Sequence, residues 1–587
     1  MAEKTLLTNY FNLHNAKQFR ESISETANSI YYVFAGRSSP YSAGDDSIPT
    51  IENTNFNVNV DPYKQIVFGK KVSNTDVKIM VPRYDWVSNT VYSPYRSNVN
   101  LDTSNFYAVV NSVSKYYVFK VLDNNNDSPS TIEPNFNETG ADDEFYSTSD
   151  GYVWKYMYTI DKSSFEKFAT EDYIPVIPDA NVAGNAVSGS IDVILVNYNG
   201  SNYNSSLSNT FISTDITVGG NSVLYNISNN ASSDTGFYNG SYLYIKNGTG
   251  IGQIRKILDY NVSGLTKTVT LESAFTTTPD VSSEYEITPS VLIVGDGSGA
   301  KARALVNTSS SNNISKIEIV ERGSGYTFAT ATVVGNTGGI SNSASLSVVL
   351  GPKDGHGSDA EAELGGKYLC ISVTFANNET NTIPTQNDYR TIGLIKDPHF
   401  ANVVLTIDSA TGIFADNETI TQANSLATGV VVDTSISTLS ITNVTGIFVT
   451  DKIVTGLTSG ATANIVSYNI NGETKNFNTF DNRYKYTFTS VSGTFTEDEK
   501  VFQLDTATSN AIFHSNTASY LYLTNKEGTI NISNTITGVN SSAVATLNAS
   551  WPPDIVEGSG EVLYIENIDP TDRDENQSET IKIILKF

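Results

Sequence analysis

The chain has 587 residues, of which 39% are hydrophobic and 17% charged, with a formal net charge of −26. That is too apolar for a disordered chain and long enough for several hydrophobic cores. The acidic balance argues against a nucleic-acid partner and against an anionic membrane surface; a basic or mixed-charge partner fits it better.

Tyrosine occurs 33 times and methionine only 3 times. Aromatic and β-branched residues suit half-buried pleated surfaces, so the expected class is mainly β. The single cysteine, Cys370, precludes an intrachain disulfide framework. It sits in the apolar run Tyr368-Leu369-Cys370-Ile371, which reads as a strand with a small buried thiol. Assembly in a reducing cytoplasm is expected. Met1 to Tyr10 lacks a basic region followed by an apolar core, so no secretion signal is predicted. No apolar stretch approaches the ~20 residues of a membrane helix.

In chain order, Ala16, Phe19, Ile23, Ala27 and Ile30 recur at helical spacing and predict one N-terminal helix. It should end where Tyr31-Tyr32-Val33-Phe34 begins a strand. From Ile66 to Asp161, apolar runs alternate with polar turn clusters such as Asp123-Asn124-Asn125-Asn126-Asp127, the texture of antiparallel strands. The prolines of Ile174-Pro175-Val176-Ile177-Pro178 cannot lie inside a paired central strand, and a boundary is expected near residue 185.

From 187 to 350 glycine turns multiply. Two segments share a plan, an apolar strand running into a glycine-serine turn closed by a tyrosine: Val193 to Tyr203 and Ile317 to Tyr326. Gly295 to Lys301 superficially resembles a phosphate loop, but Ala300 precedes Lys301 and no helix follows; a β-turn is the better reading.

Residues 351 to 400 return to a denser, more charged texture. From 401 to 550 a repeat appears, with Thr411-Gly412-Ile413-Phe414, Thr445-Gly446-Ile447-Phe448 and Ser492-Gly493-Thr494-Phe495, and a weaker fourth copy at Gly528-Thr529-Ile530. Steps of 34, 47 and 35 residues separate positions 414, 448, 495 and 530. Such uneven steps argue against a strict solenoid and fit small β-barrel or sandwich modules. Glu561 to Phe587 predicts two strands forming a hairpin around an acidic tip, Asp569 to Glu579. That tip fails the calcium-loop pattern at Gln577 and Ile583, and whether it holds an ion stays open.

The four histidines show no zinc spacing. No nucleophile elbow is present, and nothing singles out a pair of catalytic carboxylates. The expectation is a protein that is not an enzyme and needs no cofactor or metal.

Four segments in order carry a resemblance. They are Phe34-Ala35-Gly36-Arg37-Ser38-Ser39-Pro40-Tyr41, Val81-Pro82-Arg83-Tyr84-Asp85-Trp86, Asp150-Gly151-Tyr152-Val153-Trp154-Lys155-Tyr156, and Gly560-Glu561-Val562-Leu563-Tyr564-Ile565-Glu566-Asn567 with the terminal Ile581 to Phe587. A weaker match covers Tyr389-Arg390-Thr391-Ile392-Gly393-Leu394-Ile395. Together these resemble the dimeric baseplate wedge subunit of contractile-tailed myoviruses, the gene product eight family. The matches cover residues 1–186, 351–400 and 551–587, leaving 187–350 and 401–550 as inserted β domains.

The resemblance implies a β-sandwich-type core interrupted by those two insertions. It also implies a homodimer that joins other baseplate wedge and tail proteins in the virion and re-orients on tail contraction. Structural or interface roles are expected for Gly36, Arg37, Pro40, Pro82, Arg83, Asp85, Trp86, Asp150, Gly151, Trp154, Glu561, Tyr564 and Asn567. The other reading is a carbohydrate- or receptor-binding tail module, with the insertions offering a surface for a host glycan.

Overall fold

The computed structural model describes residues 8–25, 29–51, 62–97, 99, 101–135, 145–203, 206–211, 217–334, 342–379, 382–385, 388–471 and 477–587. The protein is mainly β. Its chain divides into two compact units, one formed by residues 1–80 and 367–587, the other by 81–366. The sequence boundary near residue 185 therefore lies inside the second unit, just past a short helix, Ala180–Gly184.

In the first unit, the N-terminal helix runs from Asn9–Ser24 with Thr8 as its cap, and buries Leu13, Ala16 and Ile23. Ile30 lies beyond it, and Ala27 falls outside the described residues. Tyr31–Gly36 follows as a fully buried strand. It is the middle of a five-stranded antiparallel sheet in the order Thr479–Asp481, Ile66–Lys71, Tyr31–Gly36, Tyr389–Lys396, Glu561–Thr571.

A neighbouring sheet of this unit pairs Tyr368–Ala376 with Val77–Pro82 on one side and with Ser578–Lys586 on the other. The sheets meet through Phe68 and Phe375, whose rings stand edge to face 5.3 Å apart, a geometry aromatic pairs favour. Cys370 is buried on the Tyr368–Ala376 strand. The two C-terminal strands, expected to pair as a hairpin, instead lie in different sheets. Arg573 accounts for this: from the loop between them it donates to the carbonyls of Pro384 and Asn377, pairs with Glu579, and lies over the Phe68 ring.

Residues 401–550 form two closed six-stranded barrels, Val403–Ile470 and Tyr484–Trp551 in extent. Between them the chain returns to the five-stranded sheet as Thr479–Asp481. This explains the uneven repeat steps. The copies at 414 and 448 are the halves of the first barrel, those at 495 and 530 the halves of the second, and the longer step contains the returning strand. Gly412, Gly446 and Gly493 all adopt positive φ, between 84° and 86°, which only glycine takes without strain. Phe414, Phe448 and Phe495 then turn inward into buried positions. The first barrel's core is continuous with that of the five-stranded sheet through Phe400, Phe477 and Phe480, which surround Tyr32.

The second unit contains a four-stranded sheet, Tyr107–Asn111, Lys115–Asp123, Val153–Asp161 and Phe145–Ser147 in spatial order. Between Leu207 and Thr288 lies a six-stranded sheet whose core is built on Tyr225, Tyr238, Tyr260 and Tyr285. A further four-stranded sheet packs on the pair Ile191–Tyr198 and Ser345–Leu350. The two glycine-serine turns share this last core: Tyr203 and Tyr326 are both buried in it. Within the Gly295–Lys301 stretch, Asp296-Gly297 forms the turn between strands Ser290–Gly295 and Ser298–Asn307. There Asp296 accepts from Thr327 and Phe328, and those bonds, the Thr327 hydroxyl foremost, hold its carboxyl down at about 2.

Candidate functional site

Six of the thirteen motif residues belong to the first unit. Gly36 closes the central strand, where a Cβ would stand 2.3 Å from the Gln65 carbonyl oxygen. Arg37 follows at φ 56°, its amide donating to that same carbonyl at 2.8 Å and its guanidinium lying 4.7 Å over the Tyr41 ring. Pro40 is exposed at the turn. Tyr41 then reaches back and donates to the carbonyls of Arg390 (2.5 Å) and Ile568 (3.0 Å). Asn567 accepts from the Thr391 hydroxyl at 2.9 Å and donates to the Pro49 carbonyl at 2.8 Å. Tyr564 donates to Glu566, and exposed Glu561 pairs in register with Lys396.

The centre of this node is Arg390, 4% exposed. Its Nε and Nη2 grip Asp45 at 2.8 Å each, Nη2 lies 2.6 Å from Asp388, and Nη1 donates to the Ser38 carbonyl. Planar bidentate pairing of this kind fixes geometry as well as adding energy. The structure thus brings together the first motif, the weaker match around Tyr389 and the C-terminal motif, which are separated by hundreds of residues in sequence.

The other seven lie in the second unit. Pro82 accepts from the Tyr107 hydroxyl at 2.5 Å. Arg83 clamps Asp85 through Nε (2.9 Å) and Nη2 (2.8 Å), and its side chain lies over Phe165. The Trp86 indole donates to Ser130 Oγ at 3.2 Å, and Ser130 in turn donates to Asp150 Oδ2 at 3.3 Å. Asp150 also accepts from the amides of Thr131, Ile132 and Tyr152 and from the Thr148 hydroxyl. Burial pulls its carboxyl upward, but these bonds outweigh it and hold the group below the usual aspartate value. Gly151, at φ +90°, leaves room for Asn125, and its carbonyl accepts from Lys316 at 2.9 Å. Trp154 is fully buried, stacked on Tyr152. The second and third motifs therefore converge on Ser130, a residue outside both.

A buried ionic cluster in the second unit carried no sequence signal. Lys120 pairs with Glu363 and lies 4.1 Å over the Tyr95 ring. Glu363 also accepts from the Gly357 amide at 2.7 Å. His356 Nε2 lies 2.5 Å from Asp192 Oδ1. Burial first, and Lys120 second, push the imidazole below its ordinary value despite Asp192 and Glu363. A neutral ring beside a carboxylate must place its hydrogen on Nε2, so His356 donates to Asp192. The four groups come from positions 120, 192, 356 and 363, with no shared spacing by which a sequence could reveal them.

No protein-family model matches this chain, and no curated protein matches it.

Proposed function

We propose that this chain is a non-enzymatic structural subunit of the baseplate wedge of a contractile-tailed phage, assembled in the host cytoplasm and carried in the virion. One observation carries the reading: the strand leading into the first motif and those bearing the weaker match and the C-terminal motif, Tyr31–Gly36, Tyr389–Lys396 and Glu561–Thr571, are adjacent in one sheet. Three of the segments that resemble the wedge family are thus neighbours in the way a shared scaffold would require. The thirteen motif residues make turns, clamps and cores, as expected where holding shape is the function. Mechanism in such a subunit is geometric: rigid sheets keep neighbouring parts in register and move as bodies when the tail contracts.

A second reading, binding of a host glycan, draws on Tyr198 and Phe328, which are 51% and 61% exposed within the 187–350 insertion. Flat aromatic faces left in water are characteristic of recognition surfaces.

Antibodies raised against the purified chain test the assignment on intact particles. Labelling confined to the baseplate is expected; labelling elsewhere, or none on disrupted particles, overturns it. Release of reducing ends from host polysaccharide by the purified protein would overturn the non-enzymatic part.

A further inference from the structure

Arg322, near the end of strand Asn313–Ser324, is held rigidly on one side. Its Nη1 donates to the carbonyls of Ile191 (2.9 Å) and Asp192 (2.6 Å), and its guanidinium carbon lies 3.6 Å from the centre of the Phe145 ring. Two hydrogen bonds and a stacked ring fix the guanidinium plane. The opposite edge, formed by Nε and Nη2, meets no acceptor among the described residues.

At three other arginines of this protein that edge takes a carboxylate. Arg83 offers Nε and Nη2 to Asp85, Arg390 offers them to Asp45, and Arg483 to Asp481, all between 2.8 and 2.9 Å. The parallel N–H groups of this fork match the two oxygens of a carboxylate or phosphate. Arg322 presents the same fork, pre-oriented and without an acceptor among the described residues.

Arg322 also lines a cavity of about 230 Å³, together with Phe145, Lys155, Asn185, Ser190 and His356. Among the described residues its lining includes two cations and no carboxylate, in a chain whose net charge is −26. The nearby Asp192 has one oxygen bonded to His356. Asn185 and Ser190 bring neutral polar groups to the wall, and Phe145 an apolar face. The space is smaller than the roughly 300–1,000 Å³ of pockets for drug-sized ligands.

We propose that this cavity binds a small oxyanion, a carboxylate or phosphate group on a molecule no larger than a monosaccharide, seated on the Nε–Nη2 edge of Arg322.

Calorimetric titration of the full chain at low ionic strength tests this, with inorganic phosphate in one arm, glucuronate in a second and glucose as the neutral control. Saturable one-to-one binding of at least one anion is expected, weakened by added sodium chloride and absent with glucose. The arm that binds separates a free phosphate from a sugar acid. Arg322→Lys keeps the charge and removes the fork, and should weaken binding at least tenfold. Val187→Trp fills the cavity from an exposed lining position, leaves the Arg322 contacts intact, and should abolish binding. If Arg322→Lys loses its cooperative thermal transition, Val187→Trp decides. Failure of both anions to bind, glucose binding as well as glucuronate, or an affinity unchanged by Val187→Trp would each overturn the proposal.

Discussion

Ser459 Oγ donates to Glu418 Oε1 at 2.8 Å, and 82 residues further on Ser541 Oγ makes the same bond to Glu499 Oε1 at 2.5 Å. Each glutamate is buried and accepts two further amides from the loop that carries its serine, Thr458 and Ser459 in one barrel, Asn540 and Ser541 in the other. Gln422 and Gln503 are matched likewise, each clasping the backbone of a second loop at Val449 or Asn531. Two buried polar side chains therefore close each barrel at corresponding points.

Glu418→Gln should destabilise the first barrel by about 2–3 kcal/mol, the range for losing a charged acceptor shared by buried amides. For the native glutamates, burial favours the neutral form but the accepted bonds outweigh it, so both carboxyls lie below the usual glutamate value. A lowered native value contributes stability that is complete above the unfolded value and is lost as pH falls through the native one. Resistance of the wild type to urea should therefore fall as the pH drops from about 5 to about 3, and this loss should be smaller in Glu418→Gln. An identical pH dependence in the two proteins would count against the closure role.

The repeat itself was legible, because glycine at positive φ followed by an inward phenylalanine leaves a sequence trace. The pairing of its copies into barrels was not, since Glu418 and Gln422 occur only in the first half of the first barrel. The corresponding places in its second half hold Lys452 and Gly456. The mainly β class followed from composition, and the adjacency of the first and last motifs from resemblance alone. The crossing of the C-terminal strands into different sheets depends on Arg573, whose partners at 377, 384 and 579 are long-range contacts without spacing. The ionic cluster around Lys120 is invisible for the same reason.

Lys120 and Glu363 supply a sharper test because both are buried. Removing one partner leaves the other charged and unpaired, at a cost of about 3–5 kcal/mol; replacing both with apolar groups of similar volume costs much less. Lys120→Met should lower the denaturation midpoint strongly. Adding Glu363→Leu should restore part of it, but not all, because Glu363 also accepts from the Gly357 amide. A double variant no more stable than Lys120→Met would show that the pair is not the dominant coupling.

Gly393 lies between Phe34 and the C-terminal motif strand. A Cβ there would come 2.3 Å from the Phe34 ring and 2.5 Å from the Tyr564 carbonyl oxygen. The Phe34 ring is itself buried, and the Tyr564 oxygen is backbone in a paired strand, so neither yields freely. Gly393→Ala should therefore destabilise the first unit by about 1–3 kcal/mol, the usual penalty for overpacking. Denaturant titration measures this directly, and an unchanged midpoint would mean that the sheet tolerates a wider spacing than the contacts allow.

Cys370 reports on that same unit without perturbing it. The thiol is fully buried, and burial pushes it up to about 12. Only the thiolate reacts, and only when reagent can reach it, so labelling must proceed through opening of the Tyr368–Ala376 strand. That strand is paired on both sides, with Val77–Pro82 and Ser578–Lys586, which places its opening near the global stability rather than among fraying loops. Labelling of the native protein by a thiol reagent should be at least about a thousandfold slower than that of a free thiol. Gly393→Ala, which weakens the adjoining sheet of the unit, should accelerate it in proportion to its measured loss of stability. Rapid labelling of the folded wild type would show that the C-terminal strand detaches locally, and that Arg573 does not hold it in place.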